Sequence, residues 1–188
     1  MFVVLQIIKI MKQKILFKNL KGIKVPTIVK KGEWIDLVAA ETIRFKAPQS
    51  GTLKTRTVNG QEEKYRNVSF DLQYIPLGIA MKLPKGFEAI LGSRSSTPKG
   101  MGIMCANSFG VIDNSYSSNE DEWKFAAIAI RDTTITEGER FCQFRIQLSQ
   151  KATMWQKIKW FFSNGIELIE VSDLPNKEVR GGFGSTGK

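Results

Sequence analysis

The chain has 188 residues, of which 42% are hydrophobic and 24% charged, values typical of one soluble globular domain with a substantial core. It contains no histidine, which excludes Ser-His-Asp and Cys-His catalysis and histidine metal sites, so acid–base chemistry must rest on carboxylates, lysine or tyrosine. The formal charge of +10 favours an anionic partner, which could be a nucleic acid, a nucleotide or a membrane surface.

The N-terminal stretch MFVVLQIIKI, residues 1–10, is apolar but too short to span a bilayer, and it lacks the charged start and cleavage site of a secretory signal. We interpret it as an upstream start or a dispensable extension. Nothing else indicates export, and we expect a cytoplasmic protein with no membrane partner. Cys105 and Cys142 stand among apolar residues without a C-x-x-C pattern, so we expect buried free thiols.

Short β-type segments separated by turn residues dominate the rest of the chain. Many short strands at close spacing predict an all-β sandwich or barrel. In chain order the predicted strands are KILFKNL (14–20), VSFDLQYIPLGIAM (68–81), FEAILGS (87–93), MGIMCANSFGVI (101–112), KFAAIAIRD (124–132), RFCQFRIQL (140–148) and IELIEV (166–171).

Two stretches interrupt this pattern. The polar segment GTLKTRTVNGQEEKYRNV (51–68) carries an Asn-Gly turn signal, which predicts a protruding hairpin. The segment ATMWQKIKWFFS (152–163) has its large apolar residues at helical spacing. We favour a short helix packed on the body of the domain, and a helix that touches a membrane or docks a partner is the alternative.

Four segments then follow one another in a recognisable order: GEWIDLVAA (32–40), LGSRSSTPKGMGIMCANSFGVIDNSY (91–116), EGERFCQF (137–144) and RGGFGSTG (180–187). Together they resemble the five ordered motifs of trimeric deoxyuridine triphosphatases (dUTPases), most closely the type of Gram-positive bacteria and their phages. The resemblance extends from about residue 14 to the end of the chain.

This resemblance implies a jelly-roll-like β fold and a homotrimer with active sites at the subunit interfaces. It also implies magnesium-dependent hydrolysis of dUTP to dUMP and pyrophosphate. Residues 11–178 would form the β domain, with the helical segment as an insertion. The glycine-rich tail, residues 179–188, would be a flexible lid that closes over the site.

By resemblance, Asp113 orients and activates the water that attacks the α-phosphorus, and Gln143 lies near the phosphates and this water. An ordinary aspartate is ionised at neutral pH, and a positioned general base contributes about 10²–10⁴-fold to a rate. Asp36 would hold the water shell of Mg²⁺, an ion that keeps most of its waters. We expect Arg140 to form a structural ion pair.

The resemblance also predicts which residues bind the nucleotide. Arg94, Ser95 and Ser96 would offer charge, hydroxyls and backbone N–H groups to the triphosphate. A tight hairpin around residues 107–112 would read the uracil edge and exclude the thymine methyl group, with Asn107, Gly110, Val111 and Ile112 as its binding residues. Tyr116 would lie against the deoxyribose and leave no room for a 2′-hydroxyl.

In the tail, Phe183 would stack on the uracil ring. Gly184, Ser185 and Thr186 would meet the β- and γ-phosphates, and Arg180 would clamp the γ-phosphate. Arg180 stands two residues closer to the phenylalanine than in many family members, so whether it reaches the γ-phosphate is left open. The segment YSSNEDEW (116–123) also departs from the family, where many members have Y-x-G.

Two alternatives remain. The dCTP deaminases share the fold and an RSS element, but they carry a further arginine soon after it and Pro-Gly-Phe after the aspartate, where this chain has Thr97, Pro98, Lys99 and DNSY. The second alternative is a non-catalytic or additional role on the same scaffold. In that case the positive charge and the extra segments would serve nucleic acid or a regulatory protein partner.

Overall fold

A computed structural model describes residues 12–24, 26–28 and 32–182. The predicted extension at residues 1–10 and the last six residues of the chain lie outside these ranges. The described residues form seventeen strands: β1 Gln13–Asn19, β2 Thr27–Ile28, β3 Ile35–Val38, β4 Ile43–Phe45, β5 Gln49–Ser50, β6 Lys54–Val58, β7 Gln61–Tyr65, β8 Val68–Ser69, β9 Leu72–Pro76, β10 Ile79–Lys82, β11 Phe87–Ser93, β12 Ile103–Cys105, β13 Gly110–Ile112, β14 Lys124–Ala129, β15 Thr133–Ile135, β16 Arg140–Leu148 and β17 Ile166–Glu170.

The strands pair into one five-stranded sheet, two three-stranded sheets and three two-stranded ribbons. The five-stranded sheet has the order β13-β11-β16-β3-β2, and the three-stranded sheets have the orders β10-β1-β17 and β12-β14-β9. Every strand pair is antiparallel except β1 with β17. The all-β prediction is confirmed, and the strands predicted at 87–93 and 140–148 have the predicted bounds.

Alternation of buried and exposed residues along the strands builds a single hydrophobic core. β14 shows the rule: Phe125, Ala127 and Ala129 are buried, and the residues between them are less so. Trp123, Phe125, Phe141 and Phe144 are among the largest fully buried side chains, and they form two edge-to-face pairs, Trp123 with Phe144 and Phe125 with Phe141. Cys142 is buried and Cys105 half-buried, and both are free thiols.

The predicted hairpin projects from this body. β6 and β7 pair with Val58 opposite Gln61, so the connecting loop has two residues. Asn59 and Gly60 both have positive φ angles, 51° and 78°, as the primed turns of tight hairpins require. Most residues of both strands are exposed. The hairpin prediction is confirmed.

The predicted helix is also present, as α1, Met154–Phe161. Its start is set by a capping box: the Thr153 hydroxyl accepts from the Gln156 N–H, and the Gln156 side chain accepts from the Thr153 N–H. Trp160 packs edge-to-face on Phe87, with ring centroids 5.1 Å apart. No helix within the described ranges has the length and hydropathy needed to cross a bilayer.

Candidate active site

A cavity of about 300 Å³ lies beside β13, between the main sheet and the β12-β14-β9 sheet. The C-terminal residues Arg180, Gly181 and Gly182 form part of its wall, together with Trp123 and Phe125 from the core. The cavity collects seven of the predicted site residues: Asn107, Gly110, Val111, Ile112, Asp113, Tyr116 and Arg180. These residues are close together because strand β13 and the turns at both its ends line the same opening.

The turn before β13 is tight but is not the predicted hairpin. Its Phe109 N–H donates to the Asn107 carbonyl at 2.7 Å, and Ser108 adopts a left-handed φ of 65°. The flanking strands do not pair with each other, because β12 pairs with β14 and β13 with β11. The hairpin expected at 107–112 is therefore wrong: the segment crosses from one sheet to another.

Cys105 fixes the amide of Asn107. Its Sγ lies 3.1 Å from Asn107 Oδ1, and the thiol donates to this oxygen. Burial raises the pKa of the Cys105 thiol, which keeps the proton on the donor at neutral pH. With Oδ1 engaged, the Nδ2 group is left to donate elsewhere in the cavity. The sequence analysis missed this role, because nothing in the spacing shows that Cys105 lines the opening.

Asp113 is held by the turn that follows β13. The Tyr116 N–H donates to the Asp113 carbonyl at 3.0 Å, which closes the turn predicted from DNSY. Asn114 anchors it, since Nδ2 donates to the carbonyls of Leu83 and Pro84 at 2.9 and 2.7 Å. Lys82 Nζ in turn donates to Asn114 Oδ1 at 3.0 Å. Asn114 and Lys82 are positioning residues that the sequence analysis did not identify.

Tyr116 is fixed by the acidic segment that departs from the family pattern. Its hydroxyl donates to the Glu122 carbonyl at 2.9 Å. Burial, followed by the charges of Asp121 and Glu122, raises the pKa of Tyr116 to about 12, so the phenol stays neutral. The buried Asp121 carboxylate accepts from the N–H groups of Ser117 and Ser118. The extra residues therefore support the wall of the cavity behind the tyrosine ring.

Residues 180–182 contact two residues of the cavity wall. Arg180 Nη1 forms an ion pair with Asp113 Oδ2 at 2.7 Å, and both side chains are about half exposed. A Cβ atom built at Gly182 would lie 3.2 Å from the Tyr116 ring, so a larger residue would push the chain off the tyrosine. The tail thus contacts the same two residues that the sequence analysis assigned to the sugar and to the attacking water.

A second cluster of predicted residues forms around Asp36 on β3. This carboxylate is buried and pairs with two guanidinium groups: Arg94 Nε lies 3.2 Å from Oδ1, and Arg140 Nη1 lies 3.2 Å from Oδ2. The ion pair predicted for Arg140 is present. Both arginines keep part of their surface in solvent. The buried carboxylate therefore holds two guanidinium groups that remain accessible at the protein surface.

Ser95 and Ser96, next to Arg94, are exposed, and Thr97 anchors this segment to the core. The Thr97 hydroxyl is buried and donates to the Phe141 carbonyl. Thr97 begins a short π-helical turn, Thr97–Met101, for which Ser96 is the preceding cap residue. Gln143 lies opposite Asp36 in the sheet, and its Nε2 donates to the Ser93 carbonyl at 3.4 Å. Arg94, Ser95, Ser96 and Gln143 therefore lie near one another.

The two clusters are well separated within one chain. Ile112 lies opposite Ala89, and Ala89 lies opposite Ile146, so Asp113 falls in the row of Gln147. Gln143 is four residues from that row and two strands away, about 13 Å along the strands and about 10 Å across them. A chain cannot bring its own Asp113 to its own Gln143 without unpairing the sheet.

The comparisons with known proteins point in one direction. No family model matches the chain. A curated relative, the SPbeta prophage-derived deoxyuridine 5′-triphosphate nucleotidohydrolase of Bacillus subtilis, is 40% identical over 159 residues, which cover 85% of this chain and 87% of the relative. The chain belongs to the dUTPase family.

Solved dUTPases share the fold. A point mutant of the dUTPase from phage phi11 of S. aureus, described with a structural Mg(II) ion, superposes with a TM-score of 0.55 at 14% identity, over 74% of this chain and 94% of that one. A point mutant of the Staphylococcus bacteriophage 80alpha dUTPase with dUpNHpp has a TM-score of 0.53 at 16% identity, over 93% of this chain and 98% of that one. The jelly-roll-like fold prediction is confirmed.

The family assignment confirms the resemblance seen in the motifs and classifies the chain as a nucleotidohydrolase. The individual roles of the site residues stay predictions. Phe183, Gly184, Ser185 and Thr186 lie outside the described residues, so the stacking and phosphate contacts predicted for them are not described by the structure.

Proposed function

We propose that this dUTPase homologue hydrolyses dUTP to dUMP and pyrophosphate, with Asp113 as the base that directs water to the α-phosphorus. The observation that carries the proposal is the meeting of Asn107, Tyr116 and Asp113 in one cavity. An amide suited to read a base, a ring suited to contact a sugar and a carboxylate near the reacting phosphate would thus act on one nucleotide bound in this cavity.

Base recognition rests on an edge strand. β13 is the outer strand of its sheet, so the N–H and C=O groups on its free side are not used by the sheet. Together with the Asn107 amide they offer donors and acceptors in fixed positions, which suits the imide edge of uracil. The amino group of cytosine is a hydrogen-bond donor and would face a donor of the protein. Such a mismatch lowers affinity steeply in a site made to hydrogen-bond its ligand.

The catalytic step needs Asp113 in contact with water. The carboxylate accepts the proton of the attacking water while the bond from the α-phosphorus to the bridging oxygen breaks and pyrophosphate leaves. Arg180 now pairs with Asp113, and substrate phosphates would compete for this guanidinium. We propose that Arg180 moves from Asp113 to the γ-phosphate, which frees the base.

Magnesium would neutralise the phosphate charge and polarise the reacting phosphoryl group. Asp36 does not fit the predicted metal role well, since both of its oxygens accept from arginines and its side chain is 3% exposed. Among the described residues, no group of three His, Cys, Asp or Glu side chains is arranged to hold a metal ion. We therefore propose that the ion is held chiefly by the triphosphate itself.

A homotrimer with shared sites would unite the two clusters. The outer face of the β12-β14-β9 sheet offers a contact surface: Met104 lies opposite Ile128, which lies opposite Leu72, and both Met104 and Leu72 are about half exposed. This face continues into the cavity through Ala126. A neighbouring copy on it could supply Arg94 and Gln143 to the Asp113 of the first copy.

The test is release of pyrophosphate from dUTP, dTTP, dCTP and UTP by the wild type and by Asp113→Asn, with and without Mg²⁺. We expect dUTP to be strongly preferred and the Asn variant to lose at least about 10²-fold in kcat, the scale of a general base, while dUTP binding by calorimetry is kept. Asn is the matched control because it keeps the shape of the side chain and removes only the charge.

Two outcomes would contradict the proposal. Undiminished turnover in Asp113→Asn would remove this residue as the base. Release of ammonia from dCTP in place of pyrophosphate from dUTP would assign the chain to the deaminase branch of the fold.

A further inference from the structure

Helix α1 exposes a continuous apolar stripe. Met154, Trp155 and Phe161 are 70%, 67% and 80% exposed, although they are among the most apolar residues of the chain. With Ile158 and the following Phe162 they span an arc of about 120° on a helix of 3.6 residues per turn. Five large apolar side chains on one side of a short helix form an exposed patch, and exposed apolar patches typically mark an interaction site.

The stripe faces directly away from the domain. Trp160 packs on Phe87, and the Gln156 side chain lies so close to Gly86 that a Cβ atom there would collide with it. Gln156 and Trp160 lie about 180° around the helix from the centre of the stripe. The packing predicted for this helix therefore involves only its inner side, and the outer side projects as a convex ridge.

Positive charge borders the stripe on both sides. Lys157 and Lys159 are exposed, and each lies about 40° beyond one edge of the apolar arc. Lys151 adds a third exposed ammonium just before the helix. Residues 149–165 contain no aspartate or glutamate, so the charge of this segment is not compensated locally.

We propose that α1 is a docking element for an anionic lipid surface. The apolar stripe would lie at the level of the upper acyl chains, with the helix axis parallel to the membrane. The two flanking lysines would reach to lipid phosphates, as long basic side chains do at interfaces. The helix does not span the bilayer; it rests on it.

The shape of the element favours a lipid surface over a protein groove. A protein groove complementary to a ridge with lysines on both borders must place acidic groups on both of its walls. An anionic bilayer offers this arrangement at every point, with negative headgroups above an apolar interior. Trp155 at the border of the stripe also suits the headgroup region, where tryptophan is enriched.

The proposal is tested with the full-length protein and vesicles of phosphatidylglycerol or of phosphatidylcholine. We expect the protein to sediment with the anionic vesicles and not with the neutral ones, and less at high salt. Trp155 fluorescence should shift to the blue on binding, with Trp155→Phe as the control that identifies the source of the signal. Quenching by brominated acyl chains would place the residue in the bilayer.

Two double variants separate the two contributions. Trp155→Ser with Phe161→Ser should lower the partition coefficient at least tenfold, and Lys157→Glu with Lys159→Glu should do so by roughly tenfold or more. The controls are Leu53→Ser with Val68→Ser and Lys54→Glu with Lys64→Glu, which change exposed residues of the same kind outside α1 and should bind like the wild type.

Three results would overturn the proposal: no binding to anionic vesicles, equal loss in the control variants, or a change of oligomeric mass in the Trp155→Ser, Phe161→Ser variant. The last result would assign the ridge to contact with a second copy. None of these readouts depends on nucleotide hydrolysis, so failure here leaves the proposed enzymatic function untouched, and the reverse also holds.

Discussion

Asp36 shows how one buried residue organises a positively charged surface. A carboxylate inside a protein is costly unless it is paired, and here two arginines pair with it while their remaining surface stays in solvent. The Asp36 carboxylate is therefore neutralised by two guanidinium groups, and it holds both of them at the same edge of the sheet. Positioning of Arg94 and Arg140 is the role that its contacts support.

At this scale we predict that Asp36→Asn raises the KM for dUTP by about tenfold at saturating Mg²⁺, because two unrestrained arginines lose their fixed orientation. The free energy of unfolding should fall by less than the roughly 3–5 kcal/mol that breaking a fully buried ion pair costs, since both arginines reach water. Initial rates over a grid of dUTP and Mg²⁺ concentrations give the answer. An unchanged KM with a raised requirement for Mg²⁺ would favour the metal role instead.

The C-terminal tail is the element that connects two parts of the site. Residues 180–182 lie on the cavity wall and bring a positive charge to Asp113 and a glycine backbone to Tyr116. Glycines at these positions permit the close approach to the aromatic ring, because a side chain at Gly182 would meet it. A ligand in the cavity would therefore contact residues 180–182 directly.

A chain ending at Val179 should therefore keep its fold and oligomeric mass but lose at least about 10²-fold in kcat, the scale seen when one charge-stabilising donor is removed. Full-length Arg180→Ala is the companion variant that removes the charge alone. Steady-state kinetics and light scattering on both proteins provide the comparison. If the shortened chain turns over dUTP at the rate of the full chain, the lid interpretation of residues 179–188 fails.

At the scale of the whole molecule, the predicted site residues fall into two distant clusters. Asp113 and Gln143 belong to the same sheet but lie on strands separated by β11, and antiparallel pairing holds them apart. No side-chain movement closes such a gap. The proposed function therefore calls on a second copy, with a contact surface that joins the cavity of one copy to the arginines of another.

Mixed assembly tests this division. Asp113→Asn and Arg94→Ala should each be nearly inactive alone, yet co-refolding them in equal amounts should restore roughly a quarter of the wild-type activity, since random trimers then contain sites with both residues intact. Gln143→Ala can replace Arg94→Ala if the latter folds poorly. Activity no greater than the sum of the two inactive proteins would mean that each chain builds its site alone.

The sequence by itself determined the all-β class, the hairpin that turns at Asn59-Gly60, the helix and the family, but it merged the separate strands of segments 68–81 and 101–112. The correctly predicted features are local: alternation of Phe125, Ala127 and Ala129 predicts a strand, Asn59-Gly60 predicts a two-residue turn, and the spacing of the apolar residues in 152–163 predicts a helix. Motif order predicted Asp113, Tyr116 and Asn107 as site residues, because their spacing is a property of the chain alone, and the structure places all three at one cavity.

Only the tertiary structure decided what these residues touch. The sequence could not show that Asn114 reaches back to Leu83 or that Asp36 lies between two arginines, since these contacts join distant parts of the chain. The contact between Cys105 and Asn107 is local, but only the structure shows that both residues line the cavity. The sequence also could not show which side of α1 is covered. Register and sheet order place these groups, and both arise from packing of the whole domain.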